Sequence, residues 1–202
     1  MTFAEDSQSA IIAHRVTINA QWASVYLAYF DASNEFHRAN SALLNADARE
    51  MLSVLNRALP RVSSTCLCRL WDQPGTDRHS LLALSKIAEF RSEATTRDPA
   101  FIDDCNALSS SNLVSRLRRF RIVDLAHNLA IGSESGFSYD ELRELVRKTQ
   151  SIADRLSAIM RFSNALQSQI FEIKRNSCES FWDSIRSVIT YPELAELGST
   201  AG

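Results

Sequence analysis

Hydrophobic residues recur every three or four positions along most of the chain, which is the spacing of an amphipathic helix. The pattern predicts long helices over about residues 3–30 and 46–71, shorter ones over 80–91 and 97–108, and further helices over 113–131 and from 139 onward. Residues 31–45 have a mixed pattern that fits either a short helix or a corner. Pro60 is expected to kink or break the second helix, because proline lacks an N–H group and clashes with the preceding turn.

Polar clusters mark the ends of several of these helices. Residues 109–112 read SSSN and supply N-cap side chains for the helix that follows. A glycine-containing loop at 132–136 ends that helix, and Ser138 with Glu141 has the spacing of a capping box. The helix starting there is predicted to be the longest, with an apolar stripe that reaches Ile173 and a break near Asn176.

The scarcity of turn-forming residues gives the fold class. Five glycines and four prolines in 202 residues are too few for a β-rich domain of this length, which needs many turns. We therefore predict an all-α, up-and-down helical bundle with a C-terminal helical extension. Residues 1–175 are expected to form the bundle, and residues 176–202 a last helix and a mobile tail.

The composition limits the expected cellular environment of the protein more than it limits its function. The net charge is −2, which advertises neither nucleic acid nor membrane, and Lys occurs only at positions 86, 148 and 174. The predominance of arginine over lysine has two equally good explanations. One is a GC-rich genome that favours arginine codons, and the other is a need for the planar guanidinium to bind phosphate. The four cysteines lack redox or zinc spacing, so they are predicted to be reduced, mostly buried thiols in a cytoplasmic protein. No secretion signal or membrane-spanning stretch is recognised.

A polar arc interrupts the helix predicted over residues 113–131. At about 100° per residue, the face that carries Phe120 continues into polar positions. The arc comprises Arg121, Asp124, His127 and Asn128, and the rest of this half-helix is apolar. Because a buried polar group needs a partner, the arc is either a satisfied cluster that fixes packing or a site facing a cleft or a second subunit.

A metal site is the other interpretation of this arc. Asp124-x-x-His127 has the spacing of half of a di-iron ligand set in helical bundles. A complete set needs a second copy, and His14, His37 and His79 have no carboxylate three residues before them. No phosphate-binding loop, dinucleotide fingerprint or zinc-protease motif is present. We therefore expect no metal and no cofactor.

The segment from Arg121 to His127 resembles the hallmark of the HEPN superfamily, an Arg followed after about four to six residues by a His near the end of a bundle helix. Ala126 before the histidine, the glycine-containing loop and the long helix after it are similar to HEPN proteins of the abortive-infection type. The segment 68–72, which reads CRLWD, also resembles that subgroup. The resemblance covers about residues 8–165.

This resemblance implies a metal-independent endoribonuclease that acts as a homodimer in phage defence or as a toxin, with a cognate antitoxin as a candidate partner. The Arg and His sets of both subunits would meet at the interface. His127 would act as general acid or base while an RNA 2′-OH attacks the adjacent phosphate, giving a 2′,3′-cyclic phosphate and a 5′-OH. Arg121 would stabilise the phosphorane, and Asp124 and Asn128 would orient His127 or contact the ribose.

Three further arginines precede this motif, at Arg116, Arg118 and Arg119. Their positions on a helix point in different directions, so they cannot all reach one phosphate. They are candidates for sequence-independent contact with the RNA backbone, and a solvated basic turn is the other interpretation.

A second function fits the same sequence. A non-catalytic HEPN-like dimer would act as a binding or regulatory module, with Arg121 and His127 engaged in internal hydrogen bonds. Ile122 occupies a position where many family members have a polar residue, and this residue and the near-neutral net charge favour the module.

Overall fold

The computed structural model describes residues 7–72, 80–125 and 137–161, together with Asn176 and Ser180. Across these ranges the protein is all-α and has no β-strand, as the sequence predicts. A short π-helical segment, called the π-turn below, spans Arg121–Leu125. The α-helices are α1 Gln8–Asn40, α2 Ala46–Trp71, α3 Leu81–Leu84, α4 Ala88–Arg97, α5 Phe101–Ser109, α6 Asn112–Phe120 and α7 Tyr139–Met160.

Helix α1 forms the centre of the bundle and runs antiparallel to α2. Near the connection between them, Phe36 packs with Leu44 and Leu52. Farther from the connection, Ser63 Oγ of α2 donates to the Ala23 carbonyl of α1 over 2.8 Å. The residue numbers of contacting positions thus decrease along α1 as they increase along α2. This is the up-and-down arrangement of adjacent bundle helices.

Small residues on α1 let its neighbours approach closely. Its buried face carries four alanines among larger apolar residues, and side chains of the helices packed against it, chiefly α2 and α7, fill the space around them. Among the described residues, the largest fully buried side chains include Trp71, Phe36, Phe90, Phe101, Phe120, Phe137, Leu52, Leu67, Leu70, Leu81, Leu84 and Leu117. These residues place α6 and the start of α7 against the C-terminal end of α2.

Several predicted boundaries are confirmed. Helix α2 covers the predicted residues 46–71, and Ser111 caps α6 by accepting from the Val114 amide over 3.3 Å. Both halves of the capping box are present at α7: the Glu141 amide donates to Ser138 Oγ, and the Ser138 amide donates to Glu141 Oε2. Cys66, Cys68 and Cys105 are buried free thiols.

Other predicted boundaries are wrong. Residues 31–40 continue α1 without a corner. Helix α2 continues through the buried Pro60, so of the two expected outcomes, a kink or a break, the break does not occur. The segment 80–91 contains two helices, α3 and the start of α4. The helix expected over 113–131 leaves α-geometry at Arg121.

The helix after Ser138 is shorter than predicted. It ends at Met160, where Arg161 takes a left-handed conformation with φ 55°. At 22 residues, α7 is shorter than the 33-residue α1. The boundary proposed at 175/176 and the C-terminal extension lie outside the described ranges. No described helix has both the length and the apolar content needed to cross a membrane.

Candidate functional site

Arg121 stands where α6 changes into the π-turn. The preceding helix buries Val114, Leu117 and Phe120 against the core. The Arg121 amide still bonds to the carbonyls of α6, while the next residues adopt the wider π-helical winding. Such turns occur mostly as single insertions in α-helices and are frequent at functional sites. The winding change therefore falls on the first residue of the predicted catalytic set.

An ion pair joins Arg121 to the end of α2. Its Nη1 donates to Oδ2 of Asp72, the residue that follows the last residue of that helix. Asp72 is 7% exposed, whereas the Arg121 side chain remains 43% exposed. A buried carboxylate needs a hydrogen-bonded partner, and an arginine has five N–H donors. Asp72 therefore fixes the guanidinium and leaves part of it facing solvent.

Arg118 lies one turn earlier and faces inward. Its Nη2 donates to the Trp71 carbonyl over 2.6 Å and to Ser109 Oγ over 3.2 Å. Since carbonyls at a helix C-terminus lack intrahelical partners, this arginine caps α2 and ties it to the end of α5. The predicted RNA contact by Arg118 stays a prediction, and these internal bonds argue against it.

The other two arginines of the basic cluster differ from Arg118. Arg116 forms an ion pair with Glu141, which also belongs to the capping box of α7. Arg119 is exposed, and no described carboxylate pairs with it. The three side chains thus have three environments, as the helical positions predict. Arg119 is the member of the cluster best placed to meet an external phosphate.

Buried residues near the end of α2 lie beside Arg118 and Arg121. Trp71 is completely buried, and its indole Nε1 donates to Thr149 Oγ1 of α7 over 3.0 Å. Burial raises the pKa of the Cys68 thiol to about 12, and the nearby Asp72 carboxylate adds to the rise. Cys68 is therefore a neutral packing residue at neutral pH, since a nucleophilic cysteine needs a lowered pKa.

The remaining predicted site residues are only partly placed. The backbone of Asp124 lies in the π-turn. His127 and Asn128 lie outside the described residues, so the structure leaves the arc of Arg121, Asp124, His127 and Asn128 as a prediction. Among the residues it does describe, no group of His, Cys, Asp and Glu side chains could hold a metal ion.

The structure also contains a cleft that the sequence did not predict. A cleft of about 520 Å³ lies between α1, α2 and the start of α7. Arg143 on its wall is held by Asp31 over 2.5 Å and by Asp140 over 2.8 Å. His37 lines the same cleft. The residues come from positions 30–57 and 138–143, so no local pattern could have joined them.

Comparisons with known proteins add no relative. No family model matches the chain, and neither a curated protein nor a solved structure matches it. The resemblance to HEPN proteins therefore rests on this chain's own residues, chiefly Arg121 with His127 and the segment 68–72 that Asp72 ends.

Proposed function

We propose that this protein is a metal-independent endoribonuclease of the HEPN type that acts as a homodimer. The observation that carries the proposal is the pairing of Arg121 with Asp72. This pair joins the two sequence segments that carry the family resemblance, and it does so at a π-turn that leads toward His127 in the sequence. The half-exposed guanidinium is suited to a phosphate because it is fixed by a carboxylate before a ligand arrives.

In the proposed reaction, the ribose 2′-oxygen attacks the adjacent phosphorus while a histidine removes its proton. The bond from phosphorus to the 5′-oxygen breaks, and that oxygen leaves as a hydroxyl after it receives a proton. Arg121 donates to the phosphorane oxygens, where negative charge increases. Asp124 and Asn128 orient His127 or hold the ribose. The His127 residues of two subunits would supply the base and the acid.

The RNA backbone would be held chiefly by Arg119, since Arg118 and Arg116 are engaged within the bundle. The proposal includes a cytoplasmic role in phage defence or a toxin–antitoxin pair. In that setting, expression of the wild-type chain in bacteria arrests growth, whereas expression of His127→Ala does not.

Cleavage of RNA in excess EDTA tests the proposal. Purified wild-type protein is expected to produce 2′,3′-cyclic phosphate ends, and His127→Ala is expected to lose about 10²–10⁴-fold in rate. Arg121→Lys keeps a cation beside Asp72 but loses the planar fork, so it should lose about 10²–10³-fold while remaining folded. Arg91→Ala and His14→Gln alter exposed residues of α4 and α1 and serve as matched controls.

Two results would refute the ribonuclease. One is the absence of cleavage of any RNA by folded wild-type protein at micromolar concentration. The other is equal cleavage by wild type and His127→Ala, which would indicate a contaminating nuclease. Circular dichroism of each variant separates loss of activity from loss of folding.

A non-catalytic binding or regulatory module is the second candidate function. Arg121 is already engaged by an internal carboxylate, and Ile122 beside it is 69% exposed. An exposed apolar side chain next to a paired cation suits a protein contact better than a phosphate contact. This function predicts no cyclic phosphate product from the wild-type protein, together with partner binding that Ile122→Ser weakens.

A further inference from the structure

The outward face of α2 carries a stripe of apolar residues that the bundle does not use. Six large hydrophobic side chains are exposed in the described ranges, and three of them lie on this helix: Met51 at 56%, Val54 at 51% and Val62 at 40%. Helical periodicity predicts an apolar, core-facing side of α2 made of Met51, Leu52, Leu55, Ala58, Leu59, Val62, Cys66 and Leu70. The exposure of Met51, Ala58 and Val62 corrects that prediction. Ala58, also exposed, lies between Val54 and Val62.

A charged residue lies at each end of this stripe along the helix. At about 100° per residue, seven exposed positions fall within roughly 40° of Ala58 around the helix. We call this set the α2 ridge; it consists of Asp47, Met51, Val54, Ala58, Val62, Thr65 and Arg69. The ridge is acidic at its start, apolar in its middle and basic at its end. Among the described residues, no ion pair is formed by Asp47 or Arg69.

We propose that the α2 ridge binds the same ridge of a second copy of this chain, in antiparallel orientation about a two-fold axis at Ala58. In that register Val54 packs against Val62 of the second copy, and Ala58 packs against its own equivalent. Asp47 then meets Arg69 of the second copy, twice per dimer. A two-fold contact requires a self-complementary surface, and in this register every ridge position meets another ridge position. Met51 lies opposite Thr65, whose hydroxyl donates to the Arg61 carbonyl of its own helix.

The helix dipole explains only part of this pattern. An acidic first turn and a basic last turn stabilise any helix, so Asp47 and Arg69 have a local benefit. That benefit does not account for the exposed apolar residues between them. Antiparallel pairing buries those residues and also aligns the two helix dipoles favourably. The charge pairs reach each other only at a shallow crossing, about 20°, because steeper crossings separate the helix ends.

The proposed contact is small. From Asp47 to Arg69 the ridge is about 33 Å long, and with a width near 10 Å it covers on the order of 300 Å² per chain. Stable interfaces bury about 800 Å² per partner, so this pairing is weak and concentration-dependent. An alanine at the crossing allows the two helix axes to approach to about 8–10 Å. Subtracting two Cα radii of about 2.3 Å leaves a Cα–Cα separation of about 3.4–5.4 Å, which overlaps the disulfide range of about 4.4–6.8 Å.

This inference does not rest on the proposed ribonuclease function. Asp72, which holds Arg121, lies 14 residues beyond Ala58, or about 21 Å along the helix. The two Arg121 sites of such a dimer are therefore about 40 Å apart, and they do not meet across the α2 ridge. The interface that a composite ribonuclease site requires is another face, so changes on the ridge should leave RNA cleavage unaltered.

Disulfide trapping tests the two-fold axis. Ala58→Cys is made with Cys178→Ser, since the other three thiols are buried. Mild oxidation is expected to link Ala58→Cys chains into dimers at least about tenfold faster than Ser53→Cys chains. Ser53 is a matched control because it is exposed on the same helix but lies roughly 140° around from Ala58. Equal rates for the two variants would overturn the proposal.

Charge exchange tests the orientation on the same Ala58→Cys background. Asp47→Arg or Arg69→Asp alone places like charges together twice per dimer and should slow trapping about two- to thirty-fold. The double variant restores two opposite-charge pairs and should recover the original rate. A double variant as slow as the single ones would exclude the antiparallel register. Val54→Asp should abolish trapping, whereas Ile11→Asp, at an exposed apolar residue of α1, should not.

Discussion

At the scale of single residues, Arg118 and Arg121 show how neighbouring arginines acquire different tasks. Both contact the end of α2, but Arg118 donates to a backbone carbonyl and Arg121 to a carboxylate. The first bond satisfies a helix terminus. The second fixes a cation that stays partly exposed, and such a cation is available to a ligand.

Substitution of Arg118 should therefore affect stability, whereas substitution of Arg119 should affect RNA binding. Arg118→Ala leaves the carbonyl of Trp71 without its partner and should lower the free energy of unfolding by about 1–3 kcal/mol. Arg119→Ala should change stability by less than about 0.5 kcal/mol and weaken RNA binding, with a shallower salt dependence. Urea denaturation and filter binding at several salt concentrations measure the two effects. Reduced RNA affinity in Arg118→Ala at full stability would contradict this division.

The sequence identified Arg121 and Asp72 separately but not their contact. They are 49 positions apart, and neither residue has a local pattern that specifies the other. Only the family resemblance named both segments. A pairing of this kind depends on how α2 and α6 pack, and that is decided by core residues spread over the whole chain.

At the scale of helices, end signals were predictable because they act within one turn. Ser111 and Ser138 each cap the helix that follows them, as their spacing indicates. The faces of α2 were less predictable, because apolar residues occupy both its inner and its outer side. Periodicity alone assigned Met51, Leu52 and Val62 to the core, but only Leu52 of these is buried, and Leu67 lies there as well. The π-turn also escaped prediction, since helical periodicity assumes constant winding.

The hydrogen bond from Trp71 to Thr149 joins α2 and α7 and gives a prediction at this scale. Thr149→Val keeps the volume but leaves the buried indole N–H without an acceptor, which should cost about 1–3 kcal/mol of unfolding free energy. Thr96→Val is the control, because Thr96 is exposed and bonds only to a carbonyl in its own helix. Chemical denaturation measures both variants, and equal stability of Thr149→Val and wild type would show that the bond contributes nothing.

At the scale of the whole molecule, α7 holds the bundle together through arginines near its two ends. Arg143 binds Asp31 of α1. Arg155 binds Asp98 with two parallel bonds of 2.7 and 2.8 Å, and Asp104 of α5 with a third. In return, Arg97 donates to the Ile159 carbonyl and caps the end of α7. The all-α fold was predictable from composition, whereas these links needed the assembled structure.

The pair of Asp98 and Arg155 gives stability a dependence on pH. Hydrogen bonding to Arg155 lowers the pKa of Asp98 in the folded protein. Folding therefore gains stability above the unfolded pKa, near 3.9, and loses it as pH falls through the lower folded value. Asp98→Asn should lose up to about 1 kcal/mol at pH 7, the range of a solvent-screened ion pair, and its deficit should shrink as the pH falls below about 3.9. Thermal unfolding across this range measures the effect.

Glu35→Gln is the control for this measurement, since Glu35 is exposed in the interior of α1, far from its first turn, and no described cation pairs with it. It should match the wild type at both ends of the pH range. A constant deficit of Asp98→Asn at every pH would show that the asparagine disturbs packing and that ionisation of Asp98 is not involved.

The π-turn changes the rotation per residue in the segment after Phe120. A π-helical ring encloses one residue more than an α-helical ring, so a π-turn is an α-turn with one residue inserted. Removing a single residue, such as Ile122, would take away the extra residue that the wider turn accommodates and would let α-helical winding continue there. A helical wheel drawn at a constant 100° per residue therefore overstates the rotation that the chain makes across Arg121–Leu125.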